Sequence, residues 1–327
     1  MKVGDFGLRL GIVGCADIAF KRFMPATSGL DELKVVAVAE EYDKNRMERF
    51  CAEYNLEGME SFSALIERTD LDAIYVPQPP ALHHRWAIKA IENGKHVLVE
   101  KPSTTSLESS TDLVCRSIGA HLVVHENYMF QYHSQISQII KMIDEGRIGG
   151  VRHFRISFGF PMRGKDDFRY NNELGGGALL DAGGYTLKLA SLLLGDSIKV
   201  ESSHLSYLDD FDVDIYGSAY LSNESGQVCE VAFGMDCAYQ CNLEVWGSKG
   251  TLRTERIFTA PEGYEPVIYI DGTDGKQVIK LNSDDHFKKS ILEFIEETRN
   301  SEKRQEMYRQ IILQSRLVED VRKMARR

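Results

Sequence analysis

A lysine stands two residues beyond a short apolar run at residues 97–99, where Glu100, Lys101 and Pro102 come one after another. If the apolar run is a buried strand, the lysine lies at its carboxyl end. An ammonium group there can polarise a substrate oxygen or supply a proton, since partial burial lowers the pKa of a lysine. The alternative is a lysine that only extends its charged end to solvent. Pro102 would hold the backbone at this point, and a cis Lys101–Pro102 peptide is one form that it can take.

An aspartate and a tyrosine stand four residues apart in a second segment, as Asp181 and Tyr185, shortly after three glycines at residues 175–177. The pattern predicts a helix over residues 178–194, on which positions i and i+4 share one face. A tyrosine hydroxyl close to an ammonium group can donate a proton to a ketone, because the positive charge stabilises the phenolate. The alternative is a core helix in which Tyr185 is partly buried.

A glycine-containing turn near the start of the chain, GIVGCADIA at residues 11–19, follows an apolar strand and opens a predicted helix. The dinucleotide-binding fingerprint requires small residues at three positions of such a turn, and Gly14, Ala16 and Ala19 occupy them. The start of the helix offers N–H groups and a positive dipole end to a phosphate. A plain strand–turn–helix is the alternative. We assign cofactor binding in this turn to Gly14, Cys15, Ala16, Asp17 and Ile18.

Two glutamates, Glu40 and Glu41, follow the second predicted strand. An acidic side chain at this position accepts hydrogen bonds from the adenosine ribose hydroxyls and repels a 2′-phosphate. We therefore assign Glu40 to the cofactor and expect NAD(H) in preference to NADP(H). Lys44 and Arg46 lie close enough in sequence to keep NADP(H) open. Alternatively, both glutamates are solvated charges that cap the next helix.

The third predicted strand ends in a proline-rich segment at residues 77–80, followed by His83 and His84. Prolines fix an extended loop, and open α/β sheets bind their ligands at the carboxyl ends of the strands. Adjacent histidines face different sides of a helix and are poorly placed to share a metal ion. We therefore expect them to cap or pack, and we predict no metal site. The residues assigned to the cofactor at the third and fourth strand ends are Pro77, Gln78, Pro79, His83, Glu100 and Lys101.

The segments that position these residues alternate between short apolar strands and helices over the first 125 residues. Such alternation indicates right-handed crossovers and a parallel sheet. The predicted strands are residues 8–13, 34–39, 73–76, 96–99 and 122–124, and the predicted helices are residues 18–30, 42–54, 83–93 and 106–119. The sequence thus predicts an α/β protein with a dinucleotide-binding Rossmann domain at residues 1–125.

Strands dominate after residue 125, and turn signals such as Ser225-Gly226 separate several of them, as in antiparallel hairpins. We predict an α+β domain for substrate binding and oligomerisation at residues 126–327, with a large, mostly antiparallel open sheet. The predicted strands are residues 151–158, 199–207, 215–221, 228–233, 242–246, 251–255, 267–270 and 277–281. The predicted helices are residues 134–145 and 178–194 and a helical tail at residues 285–327.

The composition excludes several classes of function. A formal net charge of −10 over 327 residues argues against nucleic acid or an anionic membrane as the main partner. No apolar run approaches the ~18 residues of a membrane helix, and no signal-peptide pattern begins the chain. The six cysteines include no CxxC pair, which is typical of reduced thiols in a cytosolic protein. We expect a cytoplasmic protein.

Together these motifs resemble the glucose–fructose oxidoreductase / inositol dehydrogenase (Gfo/Idh/MocA) family. The resemblance rests on GIVGCADIA (11–19), VPQPPALHHRWAIKAIENGKHVLVEKP (76–102), HENYMFQYHSQ (125–135), GGGALLDAGGY (175–185) and WGSKGTL (246–252). It implies an NAD(P)-dependent oxidoreductase, acting on a sugar-like carbonyl or secondary alcohol, whose C-terminal sheet often forms the oligomer interface. A homodimer or homotetramer through that sheet is the corresponding expectation.

The resemblance implies three catalytic residues, namely Lys101 of the EKP motif, Asp181 and Tyr185. Tyr185 would donate the proton to the carbonyl, Lys101 would bond the substrate and lower the tyrosine pKa, and Asp181 would orient the group. Tyrosine at position 185 is more similar to the nucleotide-sugar 3-ketoreductase and dihydrodiol dehydrogenase branches than to inositol dehydrogenase. Members of the ketoreductase branch often carry Ser-Arg after the second strand and use NADP, where this chain has Glu40-Glu41. Candidates for the substrate wall are Tyr128, Phe168, Arg169 and Tyr170, with domain-interface packing as their alternative.

The sequence leaves other functions open beside the nucleotide-sugar 3-ketoreductase. One is a dihydrodiol or polyol/inositol-type dehydrogenase. Another is a cofactor-binding sensor that kept the fold and lost turnover. The retention of Lys101, Asp181 and Tyr185 together favours an enzyme over the sensor.

Overall fold

The chain folds into two compact units. The computed structural model describes residues 7–273 and 275–326. Unit 1 extends to Asn127 and also contains Phe287–Ile312, whereas unit 2 contains Tyr128–His286 and the residues from Leu313 onward. The sequence pattern places residues 287–312 in the second domain, so this return of the chain to unit 1 is a feature that only the structure shows.

Unit 1 is built on a parallel sheet. Its strands are β1 (Leu8–Val13), β2 (Leu33–Ala39), β3 (Glu57–Met59), β4 (Ala73–Val76), β5 (His96–Glu100) and β6 (Val124–Asn127). They are all parallel and lie in the order β3-β2-β1-β4-β5-β6. The chain order reverses between β1 and β4, and the carboxyl ends of strands at such a point are where open α/β sheets bind ligands. The predicted parallel sheet is confirmed, and β3 is an additional edge strand.

Helices connect these strands, and three of them begin at a residue whose side chain caps the helix. Asp43, Ser61 and Ser106 accept hydrogen bonds from backbone N–H groups at 2.9, 3.3 and 3.1 Å. The run after β1 is π-helical over Ala19–Phe23 and continues as α1 (Met24–Thr27). The other helices are α2 (Lys44–Tyr54), α3 (Phe62–Ile66), α4 (Pro80–Glu92) and α5 (Leu107–Ala120).

Unit 2 is built on a nine-stranded sheet that is mostly antiparallel, as predicted. Helix α6 (Ser134–Asp144) precedes it, and a π-helical turn at Leu179–Gly183 leads into α7 (Gly184–Leu194). The strands are β7 (Val151–Gly159), β8 (Lys199–Tyr207), β9 (Asp214–Ser222), β10 (Val228–Gly234), β11 (Gln240–Gly247), β12 (Gly250–Glu255), β13 (Val267–Gly272), β14 (Gly275–Lys280) and β15 (Ala325–Arg326). Their order is β14-β13-β12-β11-β7-β10-β9-β8-β15, with parallel pairs at β10–β7 and β15–β8.

The tail forms two helices, α8 (His286–Arg299) and α9 (Ser301–Met324), where one was predicted. Asn300 lies between them and accepts a hydrogen bond from the N–H of Glu302 at 2.9 Å. Met307, Tyr308 and Ile311 of α9 are buried in the apolar core of unit 1, which explains why this part of the tail belongs to that unit. In the described part of the chain, no helix is long and apolar enough to cross a membrane.

Candidate active site

The turn after β1 has the backbone form that a dinucleotide-binding turn requires. Gly14 has a φ of +103°, a conformation that favours glycine. The side-chain amide of Gln78 lies over the same turn and donates from Nε2 to the carbonyl oxygen of Val13 at 2.8 Å. A Cβ at position 14 would lie 1.9 Å from that nitrogen. The turn after β1 and the loop after β4 are thus brought together, and the positive φ and the close Gln78 amide favour glycine at their contact.

Glu40 is fixed at this turn by its own carboxylate. Its Oε2 accepts a hydrogen bond from the N–H of Cys15 at 2.9 Å, and its Oε1 accepts one from the N–H of Tyr42 at 3.1 Å. Burial and the Glu40 carboxylate together raise the pKa of the Cys15 thiol to about 12, so this cysteine stays a neutral thiol. Glu41 has a different role, because it accepts a hydrogen bond from the N–H of Phe62 at the start of α3 at 2.8 Å.

The helical run after the turn carries an exposed charged cluster. Asp17 pairs with Lys21 and with Arg46, each at 2.6 Å. The hydrogen bond from Lys21 is the largest of the contacts that lower the pKa of the Asp17 carboxyl. Ala16 and Ile18 are half-buried on either side of Asp17. Arg46 is therefore tied to a residue of the predicted cofactor turn, and it shares the single Asp17 carboxylate with Lys21.

His83 ties two predicted cofactor segments together. Its side chain is fully buried, with Nδ1 2.7 Å from the carbonyl oxygen of Pro102 and Nε2 2.6 Å from that of Gln78. Burial lowers the pKa of His83 to about 4, although both carbonyl contacts act in the opposite direction. His84 points elsewhere and pairs with Asp112 at 2.9 Å. Among residues 7–273 and 275–326, no group of three or more His, Cys, Asp or Glu side chains is arranged to hold a metal ion.

The residues on both sides of Lys101 are held by neighbouring strands. Oε1 of Glu100 accepts hydrogen bonds from Tyr75 Oη and Asn127 Nδ2, both at 2.7 Å. Burial raises the pKa of Glu100, while those two donors and the Lys101 ammonium act against it. The N–H of Ser103 donates to Oε1 of buried Glu126 at 2.8 Å. The Lys101–Pro102 peptide is cis, and the half-buried Lys101 lies between two anchored positions.

Sequence reasoning missed Glu126 and Asn127, because it ended the sixth strand of unit 1 too early. Their polar side chains do not look like part of a strand. Only the topology indicates their role, since β6 pairs with β5 and brings Asn127 level with Glu100.

In unit 2, Asp181 is paired with Arg169. Arg169 Nε donates to Oδ2 of Asp181 at 2.6 Å, and its Nη1 donates to Oδ1 of Asp167 at 3.0 Å. Burial alone would lower the pKa of Arg169, but the two carboxylates outweigh it and raise the pKa. The guanidinium also lies over the ring of Phe168, with its carbon 4.5 Å from the ring centroid.

The three glycines position this group. A Cβ on Gly176 would lie 2.4 Å from the carbonyl oxygen of Arg169, and Gly177 has a φ of +113°. The following helical run is capped by Asp214, whose Oδ2 accepts a hydrogen bond from the N–H of Leu179 at 2.6 Å. Burial raises the pKa of Asp214. Sequence reasoning missed Asp214, which nothing distinguishes from the other acidic residues around it.

Tyr185 lies on the same helical run as Asp181 and is surrounded by aromatic rings. It is buried, and its hydroxyl is 3.9 Å from Sδ of Met129. The ring centroids of Phe158, Tyr128 and Phe258 are 5.2, 5.4 and 5.6 Å away. The first part of the run, Leu179–Gly183, is π-helical, and π-helical turns are frequent at functional sites.

Two of the four predicted substrate-wall residues are tightly packed within unit 2. Tyr128 is fully buried, and its hydroxyl accepts a hydrogen bond from Gln314 at 3.3 Å. The Tyr170 hydroxyl accepts from the N–H of Arg163 at 2.9 Å and donates to the carbonyl oxygen of Met235 at 3.2 Å. These contacts lie within unit 2, whereas the alternative drawn from the sequence was packing at a domain interface. Phe168 and Arg169 are only partly buried.

Comparisons with known proteins match nearly the whole chain. Residues 8–128 match the family described as "Oxidoreductase family, NAD-binding Rossmann fold", and residues 136–253 match the GFO/IDH/MocA C-terminal domain. The chain is 39% identical over 319 residues to a dTDP-3,4-didehydro-2,6-dideoxy-alpha-D-glucose 3-reductase of Actinomadura kijaniata, covering 98% of this chain and 96% of that protein. A reductase of the same name from Streptomyces violaceoruber is 38% identical over 296 residues, covering 90% and 86%.

A solved structure shows the same fold. The crystal structure of a 3-ketoreductase from Actinomadura kijaniata, in complex with NADP and TDP-benzene, matches with a TM-score of 0.95 at 39% identity and covers 98% of each chain. The fold and the whole-length identity confirm the predicted family. This chain belongs to the Gfo/Idh/MocA family of NAD(P)-dependent oxidoreductases.

Proposed function

We propose that this protein is a 3-ketoreductase of a dTDP-linked deoxysugar, which converts a sugar ketone to a secondary alcohol at the expense of a reduced nicotinamide cofactor. The observation that carries the proposal is the 39% identity, over 98% of the chain, to a reductase of that kind. In the reaction the carbonyl carbon gains a hydride and the carbonyl oxygen gains a proton. The protein therefore has to hold a cofactor and the sugar, and it has to supply the proton.

The residues of unit 1 fit a dinucleotide. Gly14 leaves the turn after β1 open, and Cys15 to Ile18 lead into the helical run that would face the pyrophosphate. Gln78 covers the turn, and Pro77 and Pro79 shape the loop that carries it. The bound nicotinamide would supply the hydride. The carboxyl ends of β1 and β4 carry all of these residues, in agreement with the general position of ligands in open α/β sheets.

Within this proposal the preferred cofactor is NAD(H). The Glu40 carboxylate, which two backbone N–H groups hold at the turn, would accept hydrogen bonds from the ribose hydroxyls and repel a 2′-phosphate. Arg46 is a cation that could favour NADP(H), and it pairs with the Asp17 carboxylate, which Lys21 shares. The related 3-ketoreductase was crystallised with NADP, so this preference is a specific difference that binding measurements can test.

Three side chains would carry the chemistry. Tyr185 would donate the proton to the carbonyl oxygen, since the phenol is the proton donor on the helical run that follows the three glycines. Lys101 would hydrogen-bond that oxygen and stabilise the phenolate that forms. Asp181, which accepts a hydrogen bond from Arg169, would orient this group. Phe168 and Arg169 are the proposed substrate contacts, and Tyr128 and Tyr170 support the wall behind them.

We also propose that the open face of the sheet in unit 2 is covered by a second copy of this chain. A row of side chains crosses six strands of this sheet, and its four inner positions alternate in charge. Arg155 in the row contacts both Glu230 and Glu244 at 3.4 Å. The row, in strand order, is Tyr220, Glu230, Arg155, Glu244, Arg253 and Tyr269. Trp246 and Tyr216 add exposed aromatic surface on the same face, being 44% and 45% exposed. A homodimer or homotetramer would bury this surface.

The experiment that tests the proposed function is steady-state oxidation of NADH and NADPH with dTDP-linked 3-keto sugars, beside a panel of free keto-sugars, inositols and dihydrodiols. We expect turnover with the dTDP-linked ketones. Turnover only with polyols or dihydrodiols would assign the protein to another activity of the family. Tight cofactor binding without any turnover would instead indicate a sensor.

A further inference from the structure

A buried amide of the tail lies against the helical run that carries Tyr185. Gln314 of α9 belongs to unit 2 and is 2% exposed. Its Nε2 donates to the carbonyl oxygen of Gly184 at 2.8 Å and to the hydroxyl oxygen of Tyr128 at 3.3 Å. The amide nitrogen carries two hydrogens and cannot accept, so the chemistry of the groups alone fixes the direction of both bonds. The carbonyl that is bonded belongs to the peptide that joins Gly184 to Tyr185.

Gly184 allows these groups to meet at one point. Its φ is −53°, an ordinary helical value, so the backbone conformation does not require glycine. A Cβ at this position would lie 2.3 Å from Oη of Tyr128 and 3.7 Å from Nε2 of Gln314. The close approach of the Tyr128 hydroxyl to the backbone therefore favours glycine directly before Tyr185.

The helix changes its type at the same residue. The turn Leu179–Gly183 is π-helical, and the α-helix α7 begins at Gly184. A π-helical turn is one of the recognised places where a helix changes direction. The direction in which α7 leaves this turn decides where Tyr185 lies, and the bond from Gln314 is made at the first residue of α7.

Tyr128 gives the same amide a second contact with Tyr185. The two tyrosine rings meet edge to face, with centroids 5.4 Å apart and an angle of 88° between their planes. Tyr128 is fully buried, and Tyr185 is 7% exposed. Gln314 is thus connected to Tyr185 twice, through the peptide that precedes it and through the ring that packs against it.

We propose that Gln314 is a positioning residue, which fixes the phenol of Tyr185 in one orientation towards the substrate carbonyl. The inference rests on the role of Tyr185 as proton donor in the proposed function. Proton transfer requires the donor and acceptor oxygens to lie within about 2.6–3.2 Å of each other. A displacement of about 1 Å, caused by a change away from the reacting atoms, is enough to lower a rate by about 10². An amide that holds both the backbone and the neighbouring ring restricts such displacements.

The test compares Gln314→Met with a matched control. Methionine keeps the length of the side chain and removes both donated hydrogen bonds. Asn223→Leu is the control, because Asn223 is 8% exposed and its Nδ2 donates to the carbonyl oxygen of Leu194 at 2.9 Å. Leu194 is the last residue of α7, so the control removes a buried amide from the opposite end of the same helix.

A spectroscopic readout reports the orientation of Tyr185 without any turnover. The full-length protein is labelled with tyrosine that carries ¹³C at Cζ, and the Tyr185 signal is identified by its loss in Tyr185→Phe. We expect this signal to be displaced or split in Gln314→Met and to keep its wild-type position in Asn223→Leu.

Kinetics give a second readout that a loss of helix stability alone would not reproduce. In Gln314→Met we expect kcat for ketone reduction to fall by about 10–10²-fold. The KM for the sugar and the Kd of the cofactor should change by less than about twofold, because the orientation of the proton donor matters mainly in the transition state. In Asn223→Leu the melting temperature should fall, while kcat stays within about twofold of the wild type.

A second variant keeps the inference testable if Gln314→Met does not fold. Tyr128→Phe retains the ring against Tyr185 and removes the hydroxyl that Gln314 bonds, and it should displace the same signal with a smaller loss of kcat. An unchanged Tyr185 signal in whichever of these variants folds would overturn the inference. An equal displacement in Asn223→Leu would also overturn it, since general helix stability would then account for the effect.

The two readouts separate this inference from the proposed function. A displaced Tyr185 signal in a protein that reduces no sugar would contradict the proposed function and leave the positioning of Tyr185 by Gln314 standing. Ketone reduction with wild-type kcat and an unchanged signal in Gln314→Met would contradict the inference and leave the function standing.

Discussion

The side chain that decides between the two nicotinamide cofactors is predicted to be Glu40, and a single substitution tests it. Glu40→Gln removes the charge and keeps the size of the side chain. Its neighbour supplies the control, because Glu41→Gln removes an equal charge from the next residue. Glu41 bonds the N–H of Phe62 and not the turn, so its charge is directed away from the proposed ribose site.

The expected magnitude follows from the contacts of Glu40. A hydrogen bond to a charged group contributes about 1.5–3 kcal/mol, so loss of the carboxylate as ribose acceptor weakens NADH binding by about 10–100-fold. For NADPH the substitution also removes the repulsion between the Glu40 carboxylate and the 2′-phosphate, which offsets the lost hydrogen bond. Two like unit charges 4 Å apart repel by about 1 kcal/mol in water and by about 4 kcal/mol near a protein surface. The ratio of the two dissociation constants, NADPH over NADH, should therefore fall at least about tenfold.

Fluorescence titration of the wild-type protein and of both variants with NADH and NADPH measures this ratio. We expect a ratio above one for the wild type and for Glu41→Gln, and a ratio at least about tenfold lower for Glu40→Gln. Equal ratios in the two variants would refute the reasoning, since charge alone, and not the position of Glu40 at the turn, would then account for the effect.

Four other substitutions test further parts of the structure. Tyr185→Phe should lower kcat by about 10²–10⁴ with little change in cofactor Kd, and an unchanged kcat would remove the proton-donor role. Arg169→Gln leaves the partly buried Asp181 without its cation and should lower both the melting temperature and kcat. A loss of cofactor binding with no change in either quantity would contradict a role for the Arg169–Asp181 pair. His83 has a pKa of about 4 when folded and about 6.5 when unfolded, so the unfolded chain binds more protons between these values and stability is lost as pH falls through that window. The slope of the unfolding free energy against pH should be shallower in His83→Gln. Some slope remains, because the pKa of His96 is also lowered to about 4. A slope equal to that of the wild type would contradict the assignment. Trp246→Glu should reduce the mass measured by light scattering to that of a smaller assembly or a monomer, and an unchanged mass would exclude this sheet face as the interface.

Most of the fold can be predicted from the sequence because its periodicity is simple. The runs that became β1, β2, β4 and β5 are apolar, short and bounded by glycine, proline or charged residues, as buried parallel strands require. Edge strand β3 was not predicted, because Glu57–Met59 has no apolar pattern. The return of the tail to unit 1 was not predicted either, because the pattern of an amphipathic helix does not show which apolar surface its buried face will contact.

The motifs of the candidate site could be predicted from the sequence, but the side chains that hold these motifs in place could not. Gly14, Glu40, Gln78 and Lys101 stand at strand ends, where a general rule of α/β sheets locates ligands. The residues that anchor the segment around Lys101 were not identifiable, because Asn127 bonds Glu100 and Glu126 bonds the N–H of Ser103 across segments that are apart in the chain. In the structure Arg169 donates hydrogen bonds to the carboxylates of Asp167 and Asp181. The sequence could not predict these pairs, because no spacing rule links the three positions.

The central claim is hydride transfer to a sugar ketone, and one measurement tests it directly. The protein is incubated with a dTDP-linked 3-keto deoxysugar and with NADH or NADPH that carries deuterium at C4 of the nicotinamide, and the sugar is examined by mass spectrometry and NMR. We predict one deuterium in the product, bound to the carbon that was the ketone. Cofactor binding without any deuterium transfer to the sugar would contradict the claim.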